Sequence, residues 1–452
     1  MGEKEFERIV GAPAEVLDKT VNFSENIVNH GGVKKAKKYW KDLGPGLTTG
    51  ASDDDPSGIA TYSQAGSQFG FQLLWMAPFT FPLMAIVQEM CARIGLVTGI
   101  GLAGNIRIHF PRYVLYICTA LLFFANTLNI GVDIGAMAKA TQLILPKFSF
   151  GTLIFFFAFL SLGLQIFVSY EKYARYLKWL ALILLAYVFS AFMVKLDYKE
   201  LIRNTIIPTI VFSKEQVFLI CAILGTTISP YLFFWQTSQE VEEGILKGQS
   251  TVRLRQEAVS NKEIKLMRRD VWSGMFLSNL VMFFIIAATA GTLFVNGITN
   301  ISTAADAAAA LKPIAGAQAY LLFAVGIIGA GMLAIPVLAG SASYAMAESF
   351  GWKTGLYRKL KAANSFYGII IISTLLGMGI NFFGVDPIKA LIFSAVVNGL
   401  VAPVILVLIV LLSRNKKVMG DRVNHPVVTA LGFLITGVMA IVGVATIVFS
   451  IF

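Results

Sequence analysis

Two apolar segments of this chain, each long enough to cross a lipid bilayer, are interrupted by a proline. Residues 53–58 read DDDPSG in the first segment, and residues 225–231 read GTTISPY in the second. Because proline has no backbone N–H and its ring clashes with the preceding turn, we expect both helices to break there. Irregular backbone is tolerated at membrane depth only where it is buried in protein or lines a watery cavity. Paired breaks at corresponding places in two halves of a chain are typical of substrate sites in membrane transporters.

The composition places most of the chain in the membrane. The 452 residues are 56% hydrophobic and 14% charged, whereas soluble domains usually contain about 25% charged residues. The mean hydropathy is +0.71. Apolar runs of about 18 residues or more predict membrane-spanning helices. We predict eleven spans, at residues 46–69, 71–95, 113–138, 149–170, 176–196, 215–242, 270–296, 315–347, 365–384, 387–412 and 427–451.

The basic residues predict the orientation of these spans. Of the 37 Lys and Arg residues, 29 lie in the N-terminal tail, the predicted inner loops and the span ends that border them. Basic residues concentrate on the cytoplasmic side of a membrane, so we expect a cell-membrane protein with a cytoplasmic N-terminus and an extracellular C-terminus. We expect the KKAKK cluster at residues 34–38 to contact lipid headgroups. The net charge of +11 then needs no nucleic-acid partner.

The order of the spans predicts an internal repeat. Spans one to five and six to ten form two sets of five, and each set opens with a broken helix. Because five crossings change the starting side, the second set is inverted relative to the first. We therefore predict an all-α integral membrane protein with a cytoplasmic tail at residues 1–45, a first repeat at 46–196, a second at 215–412 and a final span at 427–452.

The first break offers oxygen ligands for a cation. Asp55 precedes Pro56, and either Asp55 or Ser57 is a natural cap for the half-helix that follows. Carboxylate, carbonyl and water oxygens are the ligands that Mg²⁺, Ca²⁺ and Mn²⁺ prefer. A carboxylate buried in a membrane is costly and is therefore functional by default. Asp53 and Asp54 either share this role or only cap helix ends, and the sequence leaves both open.

The second break offers neutral oxygens. Pro230 frees backbone carbonyls near Thr226 and Thr227, and Ser229 adds a hydroxyl. Such a cluster is often a plain kink, but opposite Asp55 it predicts the other wall of one site.

The third span contains a polar stripe. Asn126, Asn129 and Asp133 are spaced by three and four residues, which places them on one helical face. The stripe either lines a watery route or makes hydrogen bonds between helices. We also expect Gln64, on the helix after the first break, to reach the cavity. Further along the sixth span, acidic residues either attract cations at the inner mouth or form a solvated helix end; they are Glu240, Glu242 and Glu243.

Several motifs resemble those of the NRAMP divalent-metal transporters. Residues 44–46 (GPG), 55–58 (DPSG) and 64–66 (QAG) resemble the family's first span. Residues 88–99 resemble the end of its second span, and residues 225–230 resemble its sixth. The resemblance runs through spans one to ten. It implies a LeuT-type inverted repeat with helices 1 and 6 broken, and transport by alternating access.

The chain departs from the family pattern at its ligand positions. The family's first motif is Asp-Pro-Gly-Asn, and here Asp55 remains but Gly58 replaces the asparagine. In the family's sixth-span motif, Met-Pro-His, Ser229 replaces the methionine and Tyr231 the histidine, while Gln236 replaces a second histidine.

The third and tenth spans depart as well. The family's third-span acidic pair aligns with Asn129 and Val132, and Asp133 is one residue out of register. A tenth-span glutamine aligns with Ala395.

These departures all favour Mg²⁺ over softer transition metals. A thioether ligand favours softer transition metals over Mg²⁺. Fewer direct ligands and a roomier, oxygen-lined site suit Mg²⁺, which keeps several of its waters. The pattern resembles the NRAMP-related magnesium transporter branch. We predict Asp55, Ser229, Thr226 and Gly58 at the ion, with a surrounding shell of Asp54, Gln64, Asn126, Asn129, Asp133, Tyr231 and Gln236.

The predicted function is import of Mg²⁺, and also Mn²⁺, as a partly hydrated ion. Loss of the histidines and the acidic pair predicts transport without proton coupling, driven by a membrane potential worth about 2.3 kcal/mol per charge per 100 mV. The first alternative is a proton-coupled Mn²⁺/Fe²⁺ transporter. An amino-acid carrier on the same fold, an Al³⁺ carrier and a channel are further alternatives.

We expect few other partners. No catalytic triad, zinc spacing or phosphate-binding loop is present in the sequence, so an enzyme has almost no support. We predict no cofactor beyond the transported ion, no partner beyond that ion and the lipid bilayer, and a monomer.

Overall fold

The structure, a computed structural model, describes residues 44–168, 185–194, 196–301, 304–309, 316 and 319–451. The N-terminal cluster at residues 34–38 and residues 176–184 of the predicted fifth span lie outside these residues. Residues 45–452 form one compact unit. The described secondary structure is helical, as the sequence predicts.

The first half of the chain contains α1 (Pro45–Asp53), α2 (Pro56–Phe69), α3 (Met76–Thr98), α4 (Leu102–His109), α5 (Arg112–Ile144), α6 (Phe150–Phe167), α7 (Leu185–Met193) and α8 (Tyr198–Ile206). The second half contains α9 (Lys214–Thr227), α10 (Pro230–Leu246), α11 (Val252–Ala258), α12 (Asn261–Thr289), α13 (Ala304–Ala309), α14 (Ala319–Phe350), α15 (Asn364–Ile380), α16 (Pro387–Ser413), α17 (Lys416–Met419) and α18 (Pro426–Ile451).

Both proline breaks are present. Asp54 and Asp55 separate α1 from α2, and Ile228 and Ser229 separate α9 from α10. In each case the proline is the first residue of the following half-helix, where its missing N–H has no helical partner to lose and its fixed φ suits the helix. The sequence prediction of helices 1 and 6 as broken is confirmed.

The inner half-helix α1 packs unusually closely on α12. A Cβ placed on Gly46 would lie 2.6 Å from the Cα atom of Val271, and Gly50 faces the backbone of Gly274. Only glycine allows two helix backbones to approach this far. This contact holds α1 beside α12 and fixes the position of the first break.

The outer surface suits a bilayer. Within the described residues, eight helices are long and apolar enough to cross a membrane, and α15 is a shorter apolar helix. Phe124, Phe167 and Ile441 are 70%, 85% and 71% exposed, and apolar side chains on the outside are stable in lipid. The total of eleven spans remains a prediction.

Some predicted boundaries need correction. The seventh span begins at Asn261, not at residue 270, because Ser260 and Glu263 form a capping box that starts the helix earlier. The third span continues to Ile144, beyond the predicted end at 138. A short surface helix, α11, lies between spans six and seven, and no residue in it is buried.

Candidate functional site

Asp55 caps α2 at the first break. Its Oδ1 accepts hydrogen bonds from the backbone N–H of Gly58 at 2.7 Å and from the Ser57 hydroxyl at 2.6 Å. The carboxylate is 1% exposed. Of the two predicted caps, the structure selects Asp55. The start of α2 binds Oδ1 of this carboxylate. The contacts of Oδ2 therefore depend on residues from other helices.

Asn129 on α5 orients the second oxygen. Its Nδ2 donates to Asp55 Oδ2 at 2.8 Å. One turn later, Asp133 is 0% exposed, and its two oxygens have no hydrogen-bond partner among the described residues. Asn129 Oδ1 is also buried without a partner there. Two members of the predicted polar stripe therefore lie beside the first break.

The second break faces Gly58. A Cβ placed on Gly58 would lie 3.0 Å from Thr226 Oγ1 and 3.5 Å from Asp55 Oδ1. Thr226 Oγ1 is buried and has no hydrogen-bond partner among the described residues. Asp55, Gly58 and Thr226 are thus close neighbours, as predicted. The sequence predicts a roomier site because Gly58 replaces an asparagine. In this conformation the Thr226 hydroxyl occupies the space beside Gly58.

Ser229 is directed towards its own helix. Its hydroxyl donates to the carbonyls of Gly225 at 2.7 Å and Thr226 at 2.6 Å. These hydrogen bonds satisfy carbonyls that the break frees from the helix. Because the hydroxyl proton is used in them, the Ser229 oxygen can act towards an ion only as an acceptor or ligand.

Tyrosine hydroxyls join the two broken helices. The Tyr231 hydroxyl, at the start of α10, donates to the Ser52 carbonyl in α1 at 2.9 Å. The Tyr62 hydroxyl in α2 lies 3.3 Å from Thr227 Oγ1 in α9. Each half-helix of one pair is therefore tied to a half-helix of the other.

Asp53 and Asp54 face α12. The Ser278 hydroxyl lies 2.7 Å from Asp53 Oδ2 and 3.4 Å from Asp54 Oδ1. Both carboxyl groups are buried. Both residues therefore lie inside the bundle. Ser278 was not identified from the sequence, because a lone serine in an apolar helix gives no signal.

Two other predicted shell residues make their hydrogen bonds to groups outside the two breaks. Asn126 donates to the Leu338 carbonyl and to Ser341 in α14, at 2.9 and 2.8 Å, which is a contact between helices. Gln64 needs correction: it accepts from the backbone N–H of Ile301 and donates to the Thr299 carbonyl, so it anchors the loop after α12.

Gln236 belongs to a polar chain on the α1 side of the break. Its Oε1 accepts from the Thr49 hydroxyl, and its Nε2 donates to Glu240 at 2.9 Å. Glu240 and Glu242 are 8% and 2% exposed, so a solvated helix end does not describe them. Glu242 accepts from the Tyr344 hydroxyl at 2.6 Å and from two backbone N–H groups that follow α14.

The ligand set at the break is oxygen-based. In the part of the chain that the structure describes, no group of three or more His, Cys, Asp and Glu residues is arranged to hold a metal ion. The side chains that the break does offer are Asp55 together with the neutral oxygens of Thr226 and Ser229. Such a set favours hard cations.

Comparison with known proteins agrees with this fold. Residues 46–449 match the family model "Natural resistance-associated macrophage protein-like" (Nramp). The "Divalent metal cation transporter MntH" of Klebsiella pneumoniae subsp. pneumoniae is 27% identical over 412 residues, which cover 88% of this chain and 91% of that protein. The protein of the same name from Caldanaerobacter subterraneus is 25% identical over 417 residues, covering 90% and 92%.

Solved structures show the same architecture. A manganese transporter of Eremococcus coleocola superposes with a TM-score of 0.67 at 20% identity, covering 90% of this chain and 86% of that one. The nucleobase-cation-symport-1 family transporter Mhp1 superposes with a TM-score of 0.56 at 13% identity, covering 90% of each chain.

Fold and sequence together define a multi-pass membrane transporter of divalent metal ions with a LeuT-type fold. The chain belongs to the Nramp family.

Proposed function

We propose that this protein imports Mg²⁺, and also Mn²⁺, as partly hydrated ions by alternating access without proton coupling. The observation that carries the proposal is the composition of the break: Asp55, Thr226 and Ser229 offer only oxygen atoms. A thioether, which favours softer metals, does not occur at these positions. We assign Asp55, Thr226 and Ser229 as ion ligands and Gly58 as the place where the ion approaches the backbone.

The hydration of the ion follows from the same set. One carboxylate and a few neutral oxygens cannot replace the full octahedral shell that Mg²⁺ requires, so the ion keeps several waters. In the present conformation Thr226 closes on Gly58. The two broken helices therefore move apart when a hydrated ion enters.

The proposal of uncoupled transport rests on the side chains that could carry a proton. At the positions aligned with the family's acidic pair this chain has Asn129 and Val132, and at the two histidine positions it has Tyr231 and Gln236. None of these four side chains exchanges a proton readily near neutral pH. We also propose that the protein works as a monomer.

The second candidate is a proton-coupled Mn²⁺/Fe²⁺ transporter. The names of the relatives favour it, since they are described as divalent metal cation and manganese transporters. The buried carboxyl group of Asp133 offers a place for a proton. The oxygen-bearing side chains of Asp55, Thr226 and Ser229 favour the first candidate over this one.

Competition for uptake tests the substrate. The protein is reconstituted in liposomes with an internal Mg²⁺ dye, and uptake is compared with protein-free liposomes and with added Mn²⁺. We expect saturable Mg²⁺ uptake that Mn²⁺ inhibits. Liposomes that take up Mn²⁺ while Mg²⁺ neither enters nor competes would contradict the proposal.

A further inference from the structure

Three oxygen-bearing groups beside Asp55 are buried without partners among the described residues. They are the two carboxyl oxygens of Asp133, Oδ1 of Asn129 and Oγ1 of Thr226. Buried polar atoms normally have hydrogen-bond partners, and a buried charge without one is especially costly. Side chains from α5 and α9 contribute to this set, so it does not arise from one strained turn. All four atoms are acceptors or potential cation ligands.

Asp133 is close to the predicted ion ligand. It lies one turn after Asn129, whose amide binds Asp55, and it interacts electrostatically with Asp55 and with the Tyr231 hydroxyl. The ion pairs found within the described residues involve Glu89, Glu243 and Glu257, and none includes Asp133. A second carboxylate therefore faces the break without a protein cation to neutralise it.

The spacing fits a hydrated ion. One helical turn, about 5.4 Å of rise, separates Asn129 from Asp133 along α5. Because Asn129, one turn from Asp133, contacts Asp55 directly, an ion at Asp55 that retains a layer of water can bind Asp133 through that water.

We propose that Asp133 is a second anionic anchor of the transported ion, binding it through retained water, so that Asp55 and Asp133 together neutralise the dication. This inference rests on the proposed ion site between the broken helices. It adds a consequence for the movement of charge. With Asp55 and Asp133 both ionised, these two residues contribute two negative charges to the empty site and neutralise the dication in the loaded site, so the membrane potential acts on the return of the empty transporter.

Metal exchange measures the loaded step alone. Vesicles contain saturating Mn²⁺ on both sides, labelled Mn²⁺ reports exchange, and K⁺ gradients with valinomycin set the potential. We expect exchange by the unmodified protein to be independent of potential between 0 and about −100 mV. In Asp133→Asn the loaded form gains one positive charge, so exchange slows at the negative potential, by up to about 50-fold, the ratio that one charge in 100 mV allows.

Binding provides a second readout. We expect Asp133→Asn to weaken Mn²⁺ binding by the detergent-purified protein roughly 10- to 100-fold, the range for losing an interaction with a charged group. Asp133→Glu restores both the charge and most of the binding. Thr119→Val, on the same helix but paired with Ser349 at 2.8 Å, is the matched control and should change neither readout.

The outcomes separate this inference from the proposed function. Because Mn²⁺ is the probe, the test remains valid even if Mg²⁺ is not transported. Asp53 and Asp54 are present in both the unmodified protein and Asp133→Asn. Any difference between these two proteins is therefore due to Asp133. If Asp133→Asn and the unmodified protein respond identically to the potential, the role of Asp133 is overturned. The same follows if Asp133→Asn binds Mn²⁺ normally while Asp55→Ala does not bind it. Exchange that persists in Asp55→Ala would overturn the ion site itself.

Discussion

At the scale of single residues, one carboxylate organises the site. Asp55 caps α2 through Gly58 and Ser57 and still presents Oδ2 to Asn129. The cap and the proposed ion ligand are therefore the same side chain. Replacing it removes a charge from the ion and a cap from the half-helix at once.

We expect Asp55→Ala to abolish metal uptake. Loss of an N-cap costs only about 0.5–2 kcal/mol, so the protein should still fold, whereas the ion loses its direct anionic ligand. Uptake per reconstituted molecule and a monodisperse gel-filtration profile measure the two effects. Asp386→Ala, which removes the cap of α16, controls for the loss of a cap. Near-normal uptake by well-folded Asp55→Ala would refute the assignment.

We expect three neighbouring positions to set the metal preference. Gly58→Asn with Ser229→Met recreates the family's ligands, but a side chain at position 58 would press on Thr226 Oγ1 at 3.0 Å. We therefore expect the swap to succeed only with Thr226→Ala. The triple variant should shift the Mn²⁺/Mg²⁺ uptake ratio about tenfold towards Mn²⁺, which corresponds to roughly 1.4 kcal/mol of differential binding. A ratio equal to that of the unmodified protein would show that these residues do not set selectivity.

The sequence predicted Asp55 as a cap at the first break but not every contact of the three aspartates there. Pro56 and Pro230 revealed the breaks because proline acts locally. Asn129 was found because its spacing to Asp133 follows the helix period. Ser278 could not be found, since its role depends on the packing of α12 against α1, which pattern alone does not reveal.

At the scale of helices, α1 is the half-helix that the rest of the structure holds in place. The Asp270 carboxylate in α12 accepts from the backbone N–H groups of Gly46 at 2.7 Å and Leu47 at 3.3 Å. These are free donors of the first turn, which a helix usually satisfies with its own cap. A cap supplied by another helix links the position of α1 to α12.

We expect Asp270→Ala to loosen α1. Losing a cap worth about 0.5–2 kcal/mol should speed hydrogen exchange in residues 45–53 roughly 2- to 30-fold. Exchange in detergent, read by mass spectrometry, measures this. Asp386→Ala should speed exchange only at the start of α16, whose Ile388 and Lys389 it caps. Equal protection of α1 in both variants would show that Asp270 does not hold it.

Helix boundaries were less predictable than helix existence. Hydropathy placed the seventh span at residue 270, but the capping box at Ser260 starts α12 at Asn261. The additional turns are polar and lie on the predicted inner surface, where hydropathy gives no signal. Capping residues, not apolar content, decided that boundary.

At the scale of the whole molecule, the fold places two broken helices against each other inside a bundle of long apolar helices. The family and the fold followed from the sequence, because the breaks, the spans and the motifs all indicate the same architecture. The closeness of Gly58 and Thr226 could not be predicted from the sequence, because the conformation depends on how the two halves of the bundle pack against each other.

Simultaneous recording of Mg²⁺ and internal pH tests the central claim most directly. Proteoliposomes receive a Mg²⁺ gradient and an inside-negative potential while separate dyes report Mg²⁺ and protons inside. We predict Mg²⁺ accumulation that increases with the potential, with internal pH unchanged by transport, and loss of the Mg²⁺ signal in Asp55→Ala. Acidification that accompanies Mg²⁺ or Mn²⁺ entry, or a Mg²⁺ signal no larger than in protein-free liposomes, would contradict uncoupled magnesium transport.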